Sequence, residues 1–485
     1  MNIGFIPIDN RPVCCTLAQD IAAIDNSINF YMPPRKFLGG LTKTADYEDI
    51  FSWLKQLSTL DALVVSLDTI AYGGLIPSRR GSESFEEIKT RILNFKKILA
   101  PQNTKIYAFS SIMRISNNNI NEEEKEYWSR WGKRIFDYSY QTHKLGCESC
   151  ISNGIPSEIL DDYLNTRKRN FEINKLYLEW QKEGFFDTLV FSKDDCAEYG
   201  FNVQEAKALE ALGGFTKTGA DEIPLTLLAR AYNMLPFPEK SLNQQNENIT
   251  KISSNAQVTS LPCQSEGNRI SGGEIKIAPI FTEPDSKDLI SNYEDVSIEN
   301  SVKGQLELAG CTISEPENAD ILLYVNNFRK NQGEIVMKIP TEPFDGEWQP
   351  PQKPYMIADV RFANGADNAF VKQLFAKPAD KNFFGYCAWN TSANTLGSLI
   401  CAAKVKFFAQ KYNHKAFLKL QMTRLLDDWA YQANCRQNLS SPDPKALNEM
   451  ILPYKKQAEN FLQSDFETSY KFPWNRLFEV EIEFN

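Results

Sequence analysis

Histidine is nearly absent: 485 residues contain two, His143 and His414. A metal centre built on several imidazoles is therefore excluded, and a Ser-His-Asp triad has only these two to draw on. No apolar run approaches the roughly 18 residues needed to cross a bilayer. The opening Met1-Asn2-Ile3-Gly4-Phe5-Ile6 has neither a basic stretch nor a long apolar core. It reads as a first strand rather than a leader, so a cytoplasmic location is expected. Long basic runs are missing too, and acidic residues outnumber basic ones, 62 to 53, for a net charge of −9. Phosphate-driven binding needs a basic face, so neither nucleic acid nor membrane is expected as a partner. The phosphate-loop signature and the glycine triplet of dinucleotide-binding turns are both absent, which leaves nucleotide binding without support. Among ten cysteines only Cys147 and Cys150 have metal-ligand spacing. Two thiolates and the nearby His143 leave a structural zinc set incomplete, and reduced thiols are the simpler reading.

Hydrophobic residues at 42% and charged residues at 24% are ordinary for a globular chain. Short apolar runs recur, each leading into polar residues: Asn2 to Ile8, Ala62 to Leu67, Lys105 to Ser110, Thr188 to Phe191, Ile277 to Ile280, Ile321 to Val325, Tyr355 to Ala358 and Phe384 to Ala388. Such unbroken runs read as strands buried on both faces. Helical spacing fills the intervals at 84–99, 121–138, 157–183, 395–410 and 415–433. The alternation predicts an α/β fold on a parallel sheet, with a (β/α) barrel favoured over an open doubly wound sheet. The stretch from Pro236 to Gly273 is polar and turn-rich. It divides the chain into an N-terminal α/β part (1–235), a linker or insertion (236–275) and a C-terminal α/β part ending in helices (276–485). Glu342 to Pro354, with Trp348-Gln349-Pro350-Pro351, is expected as a loop.

Ligands of parallel α/β sheets bind beyond the carboxyl ends of the strands. Asp9, Arg11, Asp68, Arg114, Asp194, Asp195, Asp359, Arg361 and Asn390 all fall at or just after such ends. Asp194-Asp195 is the sharpest feature. Adjacent carboxylates repel, and a partly desolvated member keeps its proton, giving the acid and base that glycosidic cleavage requires. The arrangement is similar to that of barrel glycosidases that use the substrate's acetamido group as nucleophile. Helix capping by Asp194, with Asp195 solvated, is the competing reading. In Asp9-Asn10-Arg11-Pro12 the proline stiffens the turn. Arg11 either grips a ligand anion or closes the loop on an aspartate. Tyr72 beside Gly73-Gly74, and Trp389 beside Asn390-Thr391, offer stacking faces for a sugar ring. Asp221 and Glu222 fit first-turn helix positions, which favours a capping role over a chemical one.

Several stretches together resemble a bacterial family known as domain of unknown function 4127. They are Pro7-Ile8-Asp9-Asn10-Arg11-Pro12-Val13, Ser66-Leu67-Asp68 with Tyr72-Gly73-Gly74-Leu75 and Ser78-Arg79, Asp194-Asp195 with Tyr199-Gly200, Gly219-Ala220-Asp221-Glu222, and Trp389-Asn390-Thr391 with Asn394-Thr395-Leu396-Gly397. The resemblance implies a bacterial origin and brings no activity with it. It also implies that relatives often carry an acid where this chain has Asn10.

The residues themselves point first to a carbohydrate-active hydrolase with a small-molecule or oligosaccharide substrate and no cofactor. Asp195 is its general acid, Asp194 orients an acetamido group or water, and Asp9 is the reserve base. Arg11, Asp68, Tyr72, Arg114, Asp359, Arg361, Trp389 and Asn390 bind substrate. Two alternatives stand beside it. One is a hydrolase using Mg²⁺ or Mn²⁺ held by Asp9, Asp68, Asp194 and Asp195. The other is a non-catalytic sugar- or metabolite-binding protein.

Overall fold

Strands covered by helices on both faces need apolar side chains on both, and the apolar runs satisfy that demand. The structure, a computed structural model, describes residues 1–57, 59–146, 154–194, 196–235 and 274–484. Its strands are β1 (Asn2–Ile6), β2 (Asn29–Tyr31), β3 (Ala62–Ser66), β4 (Lys105–Ile112), β5 (Thr188–Lys193), β6 (Thr216–Thr218), β7 (Lys276–Phe281), β8 (Thr312–Ile313), β9 (Ile321–Asn326), β10 (Gly333–Glu334), β11 (Tyr355–Asp359), β12 (Phe362–Ala363), β13 (Phe383–Cys387), β14 (Thr468–Lys471) and β15 (Glu481–Phe484). Each apolar run is a strand, and β3 and β11 are buried along their whole length.

Six strands form one all-parallel sheet in the order β2-β1-β3-β4-β5-β6, and five form a second in the order β13-β11-β9-β7-β8. Read along the chain, both follow the doubly wound order 2-1-3-4-5, with one strand added in the first. Both have free edges, so the open form is realised and not the barrel that the strand–helix rhythm favours. Alternation specifies parallel βα units but not closure, which depends on where β2 and β8 are laid. Each steps to one side of the first strand of its sheet before the chain crosses back. The crossing leaves a crevice at the carboxyl ends.

Two apolar helices join the sheets. Ile223–Ala231, with Pro224 in its first turn, packs on β3 and β4. Ser392–Phe408 packs on β11 and β13, and the two helices pack on each other. Gly397 makes the crossing close: a Cβ there would lie 2.6 Å from Glu222 Cγ and 2.7 Å from Thr226 Oγ1. One core of buried residues runs through both sheets, and a small satellite core lies under the helices Trp128–Leu145 and Ser157–Lys182. Glu342 to Pro354 is a loop as expected, with Trp348 buried against Tyr324 and Tyr355. No helix among the described residues is long and apolar enough to cross a membrane. Cys147, Cys150 and nearly all of the polar stretch 236–275 lie outside the described residues.

Candidate functional site

The turn after β1 is built by its own side chains. Asp9 Oδ1 accepts the backbone N–H of Arg11 at 2.9 Å, and Oδ2 accepts Arg11 Nε at 2.9 Å. The bond to a backbone two residues on is how aspartate makes turns. It aims the guanidinium away from β1 towards Asp221, after β6, and Glu479, between β14 and β15. Nη2 reaches Asp221 Oδ1 at 2.5 Å, while Nη1 reaches Asp221 Oδ2 and Glu479 Oε1, each at 3.1 Å. All four groups are buried. One cation thus faces three carboxylates, and burial weakens the solvent screening of the excess charge. Burial pushes Glu479 up to about 8, and burial also raises Asp221, with Arg11 opposing and Asp9 adding repulsion. The cluster thus favours holding a proton near neutrality, on Glu479 above all.

Asp221 therefore does not cap the helix that follows it. That helix has no side-chain cap bond, and the Asp221 carboxylate faces Arg11. Neighbouring Glu222 turns inward instead, accepting from Ala220 N and Gln305 Nε2, and burial pushes it up to about 8.

Beyond β4, Arg114 donates to Glu123 at 2.8 Å, Glu124 at 3.2 Å and Asp194, after β5, at 3.4 Å. Arg476 also donates to Glu123, at 2.8 Å. Burial works against the charge on Glu123, yet Arg114, Arg79 and Arg476 together hold it well below the usual carboxylate range. The run Asn121–Tyr127, expected to open a helix, is consumed by these ion pairs, and the helix starts at Trp128.

These groups line a cleft of about 490 Å³, within the range of small-molecule sites. Asp9, Arg11, Arg114, Asp194 and Asp221 come from the first sheet. Tyr293, Asn364 and Asn390 come from loops of the second, and Arg436 follows a π-helix at Leu425–Cys435. Trp474, Arg476 and Phe478 come from the segment between β14 and β15. Among the described residues seven non-glycine positions have left-handed backbones, and four of them, Tyr293, Asn364, Asn390 and Trp474, line this cleft. Such conformations cost about 1–3 kcal/mol each and gather where the surroundings fix a working geometry.

Thus Asp9, Arg11, Arg114, Asp194 and Asn390 meet in one cavity. Asp195 lies outside the described residues. Asp68 stands apart, buried at the start of the helix Leu67–Tyr72. Its Oδ2 accepts Ser111 N–H at 2.8 Å, which ties β3 to β4, and burial pushes it up to about 6. Tyr72 is buried on the same helix. Asp359 is closed into the second sheet: Oδ1 accepts from Asn326, its register partner on β9, and Oδ2 accepts Asp367 N–H and the Tyr386 hydroxyl, all at 2.8 Å. Burial pushes it up to about 7. Arg361 is fully buried against Glu283, Asn326 and the carbonyl of Glu342. Trp389 is buried beside Phe478 and lines a separate small cavity with Arg424, Asp427 and Glu479. Among the described residues no group of three or more His, Cys, Asp or Glu is placed to hold a metal ion.

The sequence alone does not reveal Asp221, Arg436, Trp474 or Arg476 as cleft components, nor Glu479 as the carboxylate behind Arg11. The available signal was faint: a Trp-Asn-Arg triplet near the carboxyl terminus, in a stretch without helical spacing.

Fold and site together define an α/β protein of two open parallel sheets sharing one polar cleft at their carboxyl ends. The chain belongs to the family described as protein of unknown function (DUF4127), whose family model matches residues 3–483. No curated protein and no solved structure matches it.

Proposed function

We propose that the cleft is the active site of a carbohydrate-active hydrolase that cleaves a glycosidic bond. The carrying observation is that Asp194 and Asp221, at the ends of different strands, face one cavity, and that burial raises the proton affinity of Asp221 against the pull of Arg11, with Asp9 and, least, Asp194 adding repulsion. Two carboxyl groups facing one cavity can provide the acid and base of glycoside hydrolysis. Asp221 donates a proton to the leaving oxygen, and Arg11, already in contact, stabilises the carboxylate left behind. Asp194, steadied by Arg114, receives the proton of the attacking water or orients an acetamido group. Asp195 is the alternative acid and Asp9 the reserve base. Trp474 and Phe478 give the sugar apolar faces, while Asn118, Asn364 and Asn390 offer amides to its hydroxyls.

The test is a glycoside panel, including N-acetylated sugars, assayed with Asp221→Asn, Asp194→Asn and Asp195→Asn, with chelator as a control for the Mg²⁺ or Mn²⁺ alternative. Loss of either the acid or the base is expected to lower kcat by about 10²–10⁴-fold. Unchanged turnover in all three variants overturns the assignment. Sugar binding without any product points to a binding protein instead.

A further inference from the structure

Four guanidinium groups line the cleft, those of Arg11, Arg114, Arg436 and Arg476. Three are neutralised at short range: Arg11 by Asp9, Asp221 and Glu479, and Arg114 and Arg476 by Glu123. Arg436 is different. Among the described residues no carboxylate lies within 4.0 Å of its guanidinium, whose only hydrogen bond runs from Nη1 to Gln432 Oε1 at 2.9 Å. The Phe478 ring packs against the guanidinium at 5.5 Å. Asp427 and Glu334 are the carboxylates that act on it from farther away. Both are committed elsewhere, Asp427 to Gln432 and Glu334 to Asn364. Arg476 adds like charge nearby. Desolvation lowers the proton affinity of Arg436, as expected for a cation withdrawn from water without a counter-charge. A second unsatisfied donor lines the same cleft: the Asn390 side chain makes no hydrogen bond among the described residues, although its backbone is held in the left-handed region at φ 60°.

A guanidinium presents five donors in a planar fork, and one is used here. A half-buried cation with open donors is completed by an acceptor that carries negative charge and can take two parallel hydrogen bonds. Neutral hydroxyls would fill the donors without balancing the charge. We infer that the ligand of this cleft is an acidic saccharide, bearing a carboxylate or phosphate that docks on Arg436 with Asn390 beside it. The inference rests on the saccharide reading of the cleft. It divides the labour, with the acid–base pair after strands of the first sheet and the anion-reading arginine after the π-helix that packs on β13 of the second.

The test measures binding, so it does not depend on turnover. The full chain is titrated at millimolar concentrations with glucuronate, glucose 6-phosphate and glucose, by calorimetry and by the shift in Tm. At least one acidic sugar is expected to bind at least ten-fold more tightly than glucose. Glucuronate and the phosphate ester separate carboxylate from phosphate as the source of the charge. Arg436→Met is expected to remove the preference and Arg436→Lys to keep part of it, with circular dichroism and the ligand-free Tm confirming that both variants fold. Equal affinity for glucose and both acids, no binding of either acid, or an undiminished preference in Arg436→Met overturns the inference. Should no glycoside be hydrolysed while the preference is present and lost in Arg436→Met, the hydrolase reading fails and the acidic-ligand site stands.

Discussion

Arg11 condenses the logic of the site into a single side chain: one buried cation organises three buried carboxylates. The consequence for pH follows from Glu479, whose proton is retained to about pH 8 by burial, against 4.5 for the ordinary side chain. Between those values the folded state binds a proton that the unfolded chain has released. The contribution is complete below about pH 4.5 and is lost as pH rises to about 8. Unfolding free energies from urea titrations between pH 5 and 8 are expected to fall with rising pH, and to fall less in Glu479→Gln, by up to about 4 kcal/mol, since one pKa unit is worth about 1.4 kcal/mol. Identical slopes in the two proteins would contradict this. Glu222 and Asp359 are raised too, so a residual slope remains in the variant. At this scale Asp9 and Arg11 were legible because a turn chemistry announces itself within four residues. Asp221 and Glu479 were not, because their partner lies 210 and 468 positions away.

Among elements, strands buried on both faces were the easiest to read, because burial demands an unbroken apolar run. The edge strand β2 and the ribbon β14–β15 escaped notice because their side chains are largely half-buried or exposed and leave no such run. The helix expected at 121–138 begins later, since Glu123 and Glu124 serve arginines of the cleft. The helix at 395–410 was legible as an element, but its role as the seam between sheets was not. Its partner Ile223–Ala231 lies on the other side of the polar stretch, and the only trace of the crossing is a glycine at 397. Gly397→Val places atoms where Glu222 and Thr226 already are. The expected loss is about 1–3 kcal/mol, as for overpacked cores, read from urea unfolding. A neutral result would mean that the helices are not in contact there.

For the whole molecule, the sequence rhythm established parallel α/β architecture but not its closure or its division into two sheets of like order. That order depends on where two half-exposed strands, β2 and β8, are laid, a choice made by long-range packing. The two sheets share one continuous core through the paired helices. Scanning calorimetry is therefore expected to give a single main transition, and two well-separated transitions would show that the sheets unfold independently.

The cleft also constrains the order in which the molecule can be made. Arg11 is separated by more than 460 positions from Arg476 and Phe478, which wall the cleft, and by 468 from Glu479 behind it. The 468 positions between Arg11 and Glu479 must be translated before these side chains can meet. Until then the nascent first sheet holds a guanidinium with Asp9 and Asp221 but without its third carboxylate, and the cleft lacks one wall. Ligand-binding competence therefore cannot precede the synthesis of Arg476 and Phe478, and a product terminated ahead of them is expected to lack that wall of the cleft.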